Sequence, residues 1–158
     1  MNDDFERFPV RKNPRLKQYD YTSCNYYFVT ICTRDKACLF GSPAKLSRMG
    51  RIAADCLKEI TMHFPGVVSD KWVVMPNHVH AIIILPGNAA SLPTVIGQYK
   101  AAVTKKIRTI SSGTDVWQNS FHDHVIRNQA DYERLWTYID ANPARWMEDC
   151  FYIPQHAL

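Results

Sequence analysis

The chain has 158 residues, of which 46% are hydrophobic and 22% charged. That is one domain's worth of ordinary globular composition, long enough to bury a core and short for two domains. A formal net charge of +4 is compatible with a polyanionic partner without requiring one, and the longest apolar run, around residues 81–85, is far too short to span a bilayer.

Residues 1 to about 23 are polar, proline-punctuated and basic, with Arg11, Lys12, Arg15 and Lys17 set among Phe5, Phe8, Tyr19 and Tyr21. They contain no apolar core of the kind a signal peptide needs and read as an arm laid over the domain or over a ligand. Five cysteines (Cys24, Cys32, Cys38, Cys56 and Cys150) form no CxxC pair. They read as reduced thiols of a cytoplasmic protein, at spacings that no structural zinc site favours.

NYYFVTICT, rich in β-branched and aromatic residues, predicts a first strand. From Lys45 to Phe64, apolar residues at Met49, Ile52, Ala53, Cys56, Leu57 and Ile60 have helical spacing, with Ser47 as N-cap and Pro65-Gly66 as the stop. KWVVM predicts a second strand, Pro76-Asn77 a turn, and HVHAIIIL a third strand. A second helix is expected from about Pro93 to Ile110, with Lys100, Lys105, Lys106 and Arg108 mostly on its outer side. VWQNSFHDHVIR reads as a fourth strand with an irregular exit. Asn128 then caps a last helix, QADYERLWTYIDAN, with Asp131 at N3 in capping-box style, and Pro143 ends it.

The order β-α-β-β-α-β plus a terminal helix, in one domain, predicts an α+β, ferredoxin-like (split βαβ) antiparallel sheet with helices on one face. Such a fold hosts many functions, so function has to be argued from a site.

The third strand opens on His78 and His80, which share one face and lie about 7 Å apart along the chain. Two imidazoles so placed can point at one divalent ion. They can equally be hydrogen-bonded residues at a strand start, and a third ligand is needed to decide. A second such pair, His122 and His124 in FHDHVI, lies in polar, loop-like surroundings that favour the plain structural reading. On the last helix, Tyr132, Leu135, Trp136 and Ile139 form the buried stripe, and Tyr138 projects from its flank one turn before Asn142.

VVMPNHVHAIIILP, VWQNSFHDHVIRN and YIDANPARW, in this order, together with YDYTSCNYYFVTICTRDKACLFG, resemble the single-tyrosine transposases of the HUH superfamily, and most closely the REP-associated tyrosine transposases. The resemblance covers nearly the whole chain. It implies that His78 and His80 bind a divalent metal, Mg²⁺ or Mn²⁺, that Tyr138 is the nucleophile, and that Asn142 completes the metal site. Some relatives carry glutamine where this chain has the shorter amide of Asn142. Attack by Tyr138 on a DNA phosphodiester would give a 5′-phosphotyrosine and a free 3′-hydroxyl, so that a second 3′-hydroxyl can reverse the step on another strand.

The implied partner is hairpin-forming single-stranded DNA, with no membrane. Arg11, Lys12, Arg15, Lys100, Lys105, Lys106, Arg108 and Arg127 are the candidate phosphate contacts. A homodimer exchanging tyrosine helices and a single chain completing its own site both stay open. So does a non-catalytic, domesticated nucleic-acid-binding module of the same fold. A zinc hydrolase lacks a third strong ligand and a nearby carboxylate base.

Overall fold

The computed structural model describes residues 24–88 and 90–154. In chain order they form β1 (Cys24–Cys32), α1 (Arg48–Lys58), a short α2 (Ile60–His63), β2 (Val68–Met75), β3 (His78–Pro86), α3 (Leu92–Arg108), β4 (His122–Ile126) and α4 (Gln129–Ala141). The strands make one antiparallel sheet in the order β2-β3-β1-β4. This is the split βαβ arrangement expected from the element order.

Side-chain alternation divides the sheet between two cores. Val29 and Ile31 of β1 with Val79, Ala81, Ile83 and Leu85 of β3 face α1 and α3, where Ala53, Leu57, Val95, Ile96 and Val103 cover them. Tyr26, Phe28, Ile82 and Ile84 face the other way, against Tyr132, Leu135 and Ile139 of α4. The two crossover helices thus share one face and the C-terminal helix takes the other. Residues 78–85 of β3 are buried throughout, and each large aliphatic side chain so placed contributes about 1.5–3 kcal/mol of burial free energy. That burial makes the strand carrying His78 and His80 a rigid central one.

The helix starts are specified locally. Ser47, Ser91 and Asn128 accept hydrogen bonds from the backbone N–H groups of Gly50, Thr94 and Asp131. The capping-box expectation holds only halfway, because the Asp131 carboxylate turns instead to His124 and Arg134. Two element lengths also differ. The first helix is interrupted at Glu59, whose N–H is shared between Asp55 and Leu57 carbonyls. The fourth strand is confined to His122–Ile126, because Trp117 turns inward to pack on Phe40 and Tyr99 and donates its indole N–H to Lys100 O. Among the described residues no helix is long and apolar enough to cross a membrane.

Candidate active site

The start of β3 and the end of α4 meet on the α4 side of the sheet. His78 and His80 are 0% and 2% exposed, with ring centroids 4.6 Å apart. Tyr138 lies on the flank of α4 with its ring 5.3 Å from that of His80 and 6.1 Å from that of Phe28, which itself stacks on His80. One turn beyond Tyr138, Asn142 is buried at the helix end and donates its side-chain amide to the Tyr138 carbonyl. The four residues expected at the site are therefore neighbours within one chain.

Each imidazole is held through its inner nitrogen. His78 Nδ1 is 2.8 Å from Asn77 Oδ1, an acceptor, so the ring proton sits on Nδ1 and Nε2 presents its lone pair. Asn77 is fixed in turn by donating to the carbonyls of Lys36 and Phe151. His80 Nδ1 is 2.8 Å from the Thr30 hydroxyl on β1. Burial pushes the His80 pKa down to about 3, and burial first, then the neighbouring His80, pushes His78 well below its ordinary value. The nearby Asn142 side chain pulls His78 partly back. Both rings are thus neutral at neutral pH, the form that ligates metals.

His78 Nε2, His80 Nε2 and Asn142 Oδ1 are buried without a hydrogen-bond partner among the described residues. Orphaned buried acceptors are costly and uncommon, and lone pairs left open on two neighbouring imidazoles and a nearby amide are what a cation would take up. A carboxylate completes the set. Asp149, its side chain 4% exposed, brings Oδ2 to 3.6 Å from His78 Nε2, and one ligand atom from each of His78, His80 and Asp149 lies within 4.8 Å of the others. Two imidazole nitrogens with carboxylate and amide oxygens suit Mn²⁺ better than Mg²⁺, which prefers oxygen.

Nothing in the spacing of the sequence marked Asp149. It reaches the site because the chain doubles back after Pro143 through a 3₁₀ segment, Pro143–Glu148, that buries Trp146. The same return lays Phe151 over the imidazoles, its ring 4.5 Å from that of His78 and 6.3 Å from that of His80.

No protein-family model matches the chain. It is 33% identical over 168 residues to an uncharacterized protein of Haemophilus influenzae, covering 90% of this chain and 93% of that one. It is 32% identical over 74 residues to the REP-associated tyrosine transposase of Escherichia coli, a match covering 47% of this chain and 42% of that protein. Among solved structures, the REP-associated tyrosine transposase bound to a REP hairpin superposes with a TM-score of 0.64 at 23% identity, over 81% of this chain and 72% of that one, a likeness of fold. The chain is thus similar in sequence, over part of its length, and in fold to REP-associated tyrosine transposases.

The basic residues expected to contact DNA separate in space. Lys100, Lys105 and Arg108 of α3 join Arg34, Gln118 and Asn119 along a groove of about 660 Å³ on the α3 side of the sheet, the face opposite Tyr138. Arg34, which the sequence did not single out, is anchored to Asp115 and Asn119. Lys106 lies outside the groove and pairs with Glu59 at 2.9 Å. Arg127 is exposed just before α4, about 16 Å of helix rise from Tyr138. Arg11, Lys12 and Arg15 fall outside the described residues.

Proposed function

We propose that the protein is a metal-dependent single-strand DNA endonuclease and strand transferase acting on hairpin-forming DNA. The observation that carries this is the cluster of His78, His80 and Asp149, with ligand atoms within 4.8 Å of one another, beside the Tyr138 ring. A divalent ion held by these atoms would neutralise phosphate oxygens and lower the cost of ionising a phenol whose ordinary pKa is about 10.

The chain's own groups do the rest. Tyr138 Oη attacks phosphorus, a P–O bond to Tyr138 forms, and the P–O3′ bond breaks. The DNA keeps a 5′-phosphate joined to the tyrosine, and the departing 3′-oxygen takes up a proton. A second 3′-hydroxyl then attacks the same phosphorus and expels Tyr138, which makes strand transfer isoenergetic in phosphodiester bonds. Asn77 holds His78 in one tautomer, and Thr30 steadies the orientation of the His80 ring. Phe151 has to leave its position over His78 for a phosphodiester to reach these atoms.

Lys100, Lys105, Arg108 and Arg34 would hold the phosphates of the folded part of the DNA, helped by Arg11, Lys12 and Arg15 of the N-terminal segment. Support for a hairpin comes from the structural relative whose DNA is a REP hairpin. The test is incubation of the chain with end-labelled hairpin DNA and Mn²⁺, followed by a denaturing gel. A covalent protein–DNA adduct is expected, abolished by chelation of the metal and by Tyr138→Phe. Absence of any adduct, or an adduct that survives Tyr138→Phe, would defeat the reading.

A further inference from the structure

The second histidine pair is not in a loop. His122 and His124 lie on β4, the outermost strand of the sheet among the described residues, and the register of β1 aligns them with the site. Thr30 pairs with His80 on one side and with His122 on the other, while Phe28 pairs likewise with Ile82 and His124. Cross-strand partners share a face, so His122 stands in one row with Thr30 and His80. It lies two strand spacings from His80, about 10 Å. Asp123 and Val125 point to the other face.

This row points from the exposed edge at His122 toward the tyrosine and is buried at Thr30 and His80. Asp131, Arg134 and Tyr138, spaced i, i+3 and i+7 on α4, border it. Asp131, the one carboxylate on this border, is already matched: Oδ2 is 2.7 Å from His124 Nε2 and Oδ1 accepts from Arg134 at 2.5 Å. An approaching anion meets a carboxylate whose charge is shared by two donors. His124 is committed to that cluster, whereas His122 is exposed and free to turn a ring N–H toward a ligand.

We propose that His122 binds a backbone phosphate of the single strand that approaches Tyr138 from the β4 edge, next to the phosphate under attack and distinct from it. The inference rests on the nuclease reading above. It adds a phosphate subsite on the face opposite the Lys100–Lys105–Arg108 groove, and it gives the non-duplex part of the DNA a path.

The two ideas separate in a binding experiment that needs no turnover. In the Tyr138→Phe background, fluorescence anisotropy is measured on a stem-loop oligonucleotide with a single-stranded extension and on the same stem-loop without one. His122→Ala is expected to weaken binding of the extended oligonucleotide about tenfold, as loss of one hydrogen bond to a charged group does. It should leave the bare stem-loop unaffected. Replacing each extension phosphate in turn with an uncharged methylphosphonate should reveal one linkage at which parent and His122→Ala bind equally. His63→Ala, an exposed histidine on α2, is the control and should change neither affinity. Equal affinity of parent and His122→Ala for the extended oligonucleotide overturns the subsite. So does an equal loss on both oligonucleotides, which would mean a duplex contact. A parent that binds neither oligonucleotide removes the nuclease reading and this inference together.

Discussion

At the scale of single residues, the site depends on keeping two imidazoles dry and neutral. His80 has its pKa pushed down to about 3 by burial, against about 6.5 when unfolded. Above pH 6.5 neither state takes up a proton at this position and its contribution does not change. Below pH 6.5 the unfolded chain is protonated and the folded one is not, so stability falls with pH, and continues to fall toward pH 3. The slope from His80 alone is about 1.4 kcal/mol per pH unit, and His78 acts in the same direction. The metal-free protein should therefore lose about 2 kcal/mol at this position between pH 6.5 and 5. Urea midpoints of the parent and of His80→Asn, taken from pH 7 to 5, measure it. The variant's midpoint should fall less steeply, and parallel slopes would remove the claim that His80 is buried as a neutral base.

At the scale of elements, helix α1 is seated by the absence of a side chain. Gly50 lies in its first turn, and a Cβ there would come within 2.3 Å of Phe40 O. That carbonyl is committed, since it accepts from Ser47 N, and the Phe40 ring packs on Trp117. Gly50→Ala should gain about 1 kcal/mol of helix propensity and lose more to the forced separation of helix and loop. The net expectation is a destabilisation of about 1–3 kcal/mol in urea denaturation; a stabilised variant would mean that the helix seats differently. Such close approaches between elements are what a linear pattern does not contain. Period-2 and period-3.6 hydrophobicity identified all four strands and the helices α1, α3 and α4, and capping chemistry placed Ser47 and Asn128. The inward turn of Trp117, which shortens β4, was invisible because VWQNS has strand composition. Asp149 and the alignment of His122 with His80 were invisible for a different reason, since both depend on where the chain returns in space. His78 and His80 were legible as a same-face pair on one strand, whereas Tyr138 and Asn142 were singled out only by the resemblance of YIDANP to a family motif.

At the scale of the whole molecule, what matters is that one chain supplies both halves of the site. Strand β3 brings the imidazoles and α4 the tyrosine, and α4 is fixed over its own sheet at several points. Tyr132 buries against Tyr26 and donates to Asp70 of β2, Lys71 reaches both Asp140 and the Trp136 ring, and His124 holds Asp131 near the other end. Detaching the helix to serve another subunit would expose Tyr132, Leu135 and Ile139, which are at most 1% exposed, at about 1.5–3 kcal/mol each. A tyrosine donated to its own sheet cannot be complemented by another chain. Mixing Tyr138→Phe with His80→Ala, each inactive alone, should therefore form no covalent adduct on hairpin DNA with Mn²⁺, at any ratio of the two. A trans arrangement would instead restore up to a quarter of the active sites in an equal mixture of randomly assorted dimers, since half of the dimers would be mixed and each would hold one intact site. Adduct at that level would show that α4 leaves its own sheet when the protein acts on DNA.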